Sequence, residues 1–257
     1  MDPITVYLCA LALGLGVFLA LWPLGLILGD VSVADAWWGP GVLAGLLLTL
    51  WIGETGSGAR AALLVLLIGV WAARLCFVML RRRIRHGEED RRYREIRHAW
   101  GESFWWKSLF IVFALQGALQ WLIAIAPLAG ALAPDAPIGA VGALGALLAA
   151  LGLGLEAVSD AQLDRFKRQA GPDALLVTGL RAHIRHPSYA GEMAFWWGIW
   201  LIAAEASAWW AIISPLLVTL LLTKVSGAPM TGASLKATKP EYAAWAARTP
   251  AFIPRLR

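Results

Sequence analysis

Long apolar runs dominate the chain, and polar positions interrupt them at the spacing of helices that cross a bilayer. A transmembrane helix needs about 20 mainly apolar residues. Stretches of this kind run from Ile4 to Gly29, Ala36 to Gly53, Ala59 to Leu80 and Lys107 to Leu132, then from Ile138 to Ala157, Tyr189 to Ala206 and Trp209 to Val225. The pattern predicts an all-α, polytopic membrane protein: about seven helices in one bundle, a single domain over residues 1–257, with a tight turn near Ala206–Ala208. The first run exceeds the about 7–15 residue core of a cleaved signal peptide and has no Lys or Arg before it, so it reads as a retained helix.

Composition agrees. Of 257 residues, 59% are hydrophobic and 15% charged, with a mean hydropathy of +0.65, whereas a soluble domain carries about 25% charge. Disordered, collagen-like and disulfide-scaffold classes are excluded, and Cys9 and Cys76 sit in apolar runs as small hydrophobes. The net charge of +5 matters through its placement. Seven alternating spans leave only Arg60 outside and Arg74 within a span, while every other Lys and Arg falls after span 3, after span 5 or in the tail. By the positive-inside tendency the N-terminus lies outside and the C-terminus in the cytoplasm, in a bacterial inner membrane or the endoplasmic reticulum. A water-soluble ligand is then met on the cytoplasmic face.

Polar residues set against this apolar grain are the candidates for chemistry, because ionisable groups in spans are costly. Asp35, at the start of span 2, reads either as a helix cap or as a site residue. Glu54 and Arg60 flank an outer turn as a solvated pair. Arg74 lies within span 3, and Arg81 and Arg85 continue its stripe. Such a stripe suits a ligand carrying several phosphates, or else anionic lipid and topology fixing. The mixed-sign segment beyond it predicts i, i+4 pairs such as Glu88–Arg92 and makes nucleic acid a poor partner. Glu156 and Asp160 share a helix face and need donors, either nucleoside hydroxyls or span-3 arginines, or form a structural pair. In Arg181-Ala-His-Ile-Arg-His-Pro-Ser-Tyr-Ala-Gly-Glu192, Pro187 fits a first helical turn, leaving Ser188 and Tyr189 at an anion-attracting helix N-terminus. Arg185 and His186 add charge and donors there, and Glu192 lies one turn inside. His183 and His186 lack further ligands at credible spacing, so no metal is expected.

Several of these segments occur together in one family. Arg185-His-Pro-Ser-Tyr-Ala-Gly-Glu192, Trp196-Trp-Gly-Ile-Trp200 and the stretch Ser214 to Met230 resemble the steroid 5-alpha-reductase-like integral-membrane proteins, which are related to isoprenylcysteine carboxyl methyltransferases. So do Asp35-Ala-Trp-Trp-Gly39, Gly87-Glu-Glu-Asp-Arg-Arg-Tyr93, Leu115-Gln-Gly117, Glu156-x3-Asp160-x-Gln-Leu163 and Arg248-Thr-Pro-Ala-Phe-Ile-Pro254. The resemblance implies a seven-helix bundle holding NADPH in a cavity open to the cytosol, with hydride passed to the beta carbon of a lipidic enone. It implies phosphate binding by Arg74, Arg83 and Arg85, a nucleotide carboxylate at Asp160, and a nicotinamide amide site at Ser188, Tyr189 and Glu192. Glu156, Lys167, Arg185 and His186 complete the expected cofactor set. The family's substrate-binding tyrosine is replaced by Trp71, its span-2 glutamate is best matched by Asp35, and Thr231-Gly232-Ala233 stands where acidic or basic ligands are common. Asp35, the Trp71 indole and the Tyr189 hydroxyl are therefore the candidate donors to the substrate oxygen. Two other classes stay open: a methyltransferase using S-adenosylmethionine, and a non-enzymatic lipid-binding protein.

Overall fold

The computed structural model describes residues 1–54, 58–86, 89–171 and 174–254, with the side chains of Arg82, Arg85 and His86 outside the described set. Arg85 as a phosphate ligand and the Glu88–Arg92 pair therefore lie outside the described residues. Those described form helices and connecting segments and contain no strand.

Helix α1 (Pro3–Ile27) starts at Asp2, whose carboxylate accepts the Thr5 amide at 3.0 Å, with Pro3 in the first turn where a missing N–H costs nothing. A short α2 (Val33–Ala36) precedes α3 (Trp38–Ile52). The expected second span is thus broken at Trp37, because Pro40 has no N–H to offer the carbonyl of Ala36. Helix α4 (Ala59–His86) follows, then α5 (Arg91–Trp100), the short α6 (Phe104–Ser108), a π-helical turn over 109–114, and α7 (Leu115–Leu132). After α8 (Ala140–Gln169) come α9 (Pro187–Glu205), α10 (Ile213–Leu220), a second π-helical turn at 221–225, α11 (Ala228–Thr238) and α12 (Tyr242–Arg248).

Among the described residues, five helical segments are long and apolar enough to cross a membrane: Pro3–Ile27, Ala59–Arg81, Arg91–Leu132, Ala140–Gln169 and Trp209–Thr238. The apolar α3 is shorter, at 15 residues. Leu8, Leu47, Leu66, Phe77, Leu147 and Leu216 point outward from their helices, the exposure expected of side chains solvated by lipid. The protein is membrane-embedded.

Close backbone approach sets the positions of the helices that carry the site. A Cβ on Gly198 would lie 2.5 Å from the Gly145 carbonyl oxygen, and one on Gly152 2.5 Å from that of Gly191. Helices α8 and α9 therefore pack antiparallel, backbone on backbone, as small residues permit within membranes. At Gly39 the same test meets Ala72 at 2.8 Å, which seats α3 on α4. Near one end of the bundle, Glu205 of α9 accepts the Gly139 and Gly142 amides at 3.1 and 2.9 Å and so caps α8 from outside. Arg60 lies at this end too. It is not solvated beside Glu54 but buried (3% exposed), with Nη1 donating to the Pro134 carbonyl at 3.0 Å. The opposite end collects the C-terminal turns of α4 and α8, the N-terminus of α9, and α5, α11 and segment 249–254.

Candidate functional site

Helix α4 separates two polar centres at that second end. On one side, Arg74 forms an ion pair with Glu156 of α8, and its Nη2 lies 3.5 Å from Asp160 Oδ2. Glu156 is 1% exposed and lies against Glu192 of α9. Glu192 is held by two indoles: Trp71 Nε1 donates to its carboxylate oxygens at 3.0 and 3.2 Å, and Trp196 Nε1 donates at 2.8 Å. Ser188 Oγ, in the first turn of α9, donates to Ser159 Oγ at 2.8 Å and approaches Asp160 Oδ1 at 3.3 Å. Two carboxylates thus share one guanidinium, with a third lying against Glu156, an arrangement that holds only while the geometry is maintained.

Several buried polar atoms around this centre have no hydrogen-bond partner: Arg74 Nε, Glu156 Oε1, Asp160 Oδ2, Arg181 Nε and Arg185 Nε. Buried polar atoms are seldom left unpaired, and here both donors and acceptors are.

The segment entering α9 is fastened by residues far along the chain. The amides of Arg185 and His186 donate to the carbonyls of Pro250 and Ala251 at 2.8 and 3.0 Å. The His186 ring lies between Tyr189 and Phe252, at 5.4 and 5.7 Å between ring centres. Burial, helped by the Arg185 and Arg181 charges, pushes the His186 imidazole down to about 4. At neutral pH it therefore adds no charge to the helix N-terminus, contrary to the expectation from sequence.

On the other side of α4, Asp35 sits inside α2 and is not its cap. It accepts the Tyr93 hydroxyl at 2.6 Å and Arg92 Nη2 at 3.0 Å. Gln116 Nε2 donates to Tyr93 Oη at 2.9 Å, and Trp38 Nε1 donates to Gln116 Oε1 at 2.6 Å. Nearby, Arg83 pairs with Asp30 at 3.1 Å, and the buried Glu89 accepts Arg97 at 2.7 Å and the Val31 amide at 2.9 Å. A cavity of about 670 Å³ opens here, lined by Leu24, Asp35, Met79, Arg83, Asp90 and Arg94 among others.

The structure therefore brings Trp71, Arg74, Glu156, Asp160, Ser188 and Glu192 together but leaves the three expected oxygen donors apart. The Trp71 indole N–H is committed to Glu192, the Tyr189 hydroxyl is 2.8 Å from Thr231 Oγ1, and Asp35 belongs to the second centre. The arginine stripe meets carboxylates: Arg74 those of α8, Arg81 that of Asp164 at 3.0 Å, and Arg83, on another face, that of Asp30. Lys167 lies instead on a cavity of about 240 Å³ with Arg181 and Lys239. Tyr93 and Gln116 were overlooked as site residues, although both fall in segments that carry the family resemblance. Nothing in the sequence signalled that 250–252 pack on the α9 start.

A membrane-embedded, all-helical protein with its polar residues gathered between helices is the class these observations define. The profile of a family described as a protein of unknown function (DUF1295) matches residues 21–249, and the chain belongs to that family. Comparison with curated proteins and with solved structures finds no match.

Proposed function

We propose that this protein is a steroid 5-alpha-reductase-like membrane enzyme that takes NADPH at its basic end and reduces a conjugated C=C bond in a lipidic substrate. In this reading seven helices cross the bilayer, and the basic end, with the C-terminus, faces the cytosol. The observation that carries it is the convergence of the motif residues of α4, α8 and α9 on one centre where buried guanidinium N–H groups and carboxylate oxygens keep unfilled hydrogen-bonding capacity. Ribose hydroxyls, a carboxamide and phosphates together supply the missing partners of both kinds. When bound, NADPH supplies the hydride.

The chain's own residues bind and orient. Glu192, fixed by the Trp71 and Trp196 indoles, accepts from a carboxamide N–H. Asp160 accepts from a ribose hydroxyl. Charge building on a substrate oxygen needs a donor placed in advance. The Trp71 indole N–H is engaged by Glu192 and the Tyr93 hydroxyl, across α4, by Asp35, so neither supplies that donor without first leaving its carboxylate. Titration of the purified protein with NADPH, followed by nucleotide fluorescence, tests the proposal. Saturable binding that Glu192→Gln weakens at least about tenfold, the loss of a charge-assisted hydrogen bond, supports it; no signal from the wild type at millimolar nucleotide overturns it.

One observation favours a second reading. Glu156, Asp160 and Glu192 outnumber Arg74, and such a centre also suits the sulfonium and ammonium of S-adenosylmethionine. Calorimetry with each cofactor separates the two: heat from S-adenosylmethionine alone assigns a methyltransferase.

A further inference from the structure

Across α4 from the carboxylate centre, the cavity of about 670 Å³ is joined by a second of about 750 Å³, and Leu28, Leu80 and Arg83 line both. Small-molecule sites have volumes of this order, about 300–1,000 Å³. Part of the wall is aliphatic: Leu24 and Leu28 come from α1 and its C-cap, Leu80 from α4. The same three side chains are exposed on the outer surface of the protein, and so are Ile27 and Ile84 about a turn along each helix. One apolar seam therefore runs from the cavities to the surface that lipid covers.

The polar wall carries both signs of charge, and the bonds already made there decide which groups a ligand meets. Among the described residues the lining carboxylates are Asp30, Asp35, Glu89 and Asp90. Arg97 grips the buried Glu89 through Nε and Nη2, at 3.0 and 2.7 Å. Arg92 spans Asp35 and Asp90, and its amide donates to Asp90 as well, at 3.0 Å. Arg83 differs. Its side chain is 39% exposed and meets Asp30 through one contact, Nη2 to Oδ2 at 3.1 Å. Asp30 Oδ1 is held separately, by the Ser32 amide at 2.9 Å and the Ser32 hydroxyl. An ion pair this exposed contributes little, so it is the one a ligand opens most easily. Opening it leaves a cation and an anion side by side, and a ligand carrying both a phosphate and a primary ammonium re-pairs each. Guanidinium binds phosphate through its planar fork, and the ammonium N–H groups serve the carboxylate.

We propose that the joined cavities seat one phospholipid with an ethanolamine headgroup, its phosphate on Arg83, its ammonium on Asp30 and its acyl chains along Leu24, Leu28 and Leu80. This site is independent of the reductase reading. The test uses the full chain, stripped of lipid in a neutral detergent, with lipid retention followed by native mass spectrometry. One phosphatidylethanolamine per chain is retained about tenfold better than phosphatidylcholine, whose ammonium has no N–H, and than phosphatidylglycerol, which leaves Asp30 unmatched. Arg83→Gln lowers that retention about tenfold, Asp30→Asn removes the preference over phosphatidylglycerol, and both keep the wild-type melting temperature. Met79→Trp fills the cavity without touching either charge and lowers retention as well. Unchanged retention in Met79→Trp, or an unchanged preference in Asp30→Asn, overturns the proposal. A wild-type preference for phosphatidylglycerol overturns the zwitterionic occupant. Glycerophosphoethanolamine bound as tightly as the intact lipid overturns the bilayer as its source.

Discussion

Arg74 shows what a single side chain does in an apolar surround. Removing it leaves Glu156 and Asp160 without their cation, and breaking a buried pair on one side costs roughly 3–5 kcal/mol. Arg74→Met is therefore expected to lower the melting temperature markedly, and adding Glu156→Gln in the same chain to recover part of the loss; a thermal shift assay in detergent measures both. His186 gives a pH dependence. The imidazole titrates at about 4 when packed against Phe252 and at 6.5 when released. Between those values the released state binds more protons, so attachment of segment 250–252 strengthens as pH rises and weakens as pH falls through the window. Hydrogen exchange at the Arg185 and His186 amides is expected to accelerate from pH 6.5 downward beyond the intrinsic rate, and His186→Phe to remove that excess. Much at this scale was legible from spacing: Glu156 and Asp160 stack on one face, and a span-3 arginine was among their anticipated partners. The Trp71–Glu192 bond was not, since helical periodicity shows which residues share a face but not which face of another helix they meet.

At the scale of elements, the seam between α8 and α9 does most to place the centre. Gly198→Val puts side-chain atoms where the Gly145 carbonyl and Ala149 already lie. It is expected to cost about 1–3 kcal/mol from overpacking and to weaken nucleotide binding as Glu156 and Glu192 move apart, both measurable on one preparation. Helix existence was legible from apolar run length; helix ends were not. Helix α8 continues to Gln169 because its charged turns are paired, Asp164 with Arg168 at 2.6 Å and with Arg81 at 3.0 Å, and hydropathy does not register such pairs. The break at Trp37 has its cause in Pro40, a position that apolar counting passes over.

For the molecule as a whole, α4 acts as a partition: Trp71 and Arg74 face α8 and α9, while Met79 and Arg83 face the cavity that Asp35 shares. The clustering of basic residues anticipated that loops distant in sequence share one end, and Arg81 with Asp164 and the Arg185 amide with the Pro250 carbonyl show that these segments meet. The proposed orientation makes a direct prediction. In a chain freed of Cys9 and Cys76, a cysteine at Asp135 reacts with an impermeant maleimide in intact cells, and one at Lys236 reacts only in inverted vesicles. What patterning could not convey is that the polar residues divide into two centres, because the division depends on which helices become neighbours.

The hydrogen bonds from the Arg185 and His186 amides to the Pro250 and Ala251 carbonyls also impose a chronology. Those carbonyls follow the long apolar helices found among the described residues, so they emerge from the ribosome after them. A nascent chain can thus have these helices laid into the bilayer while the loop ahead of Pro187 still lacks its fastening, which forms only after synthesis has passed residue 251.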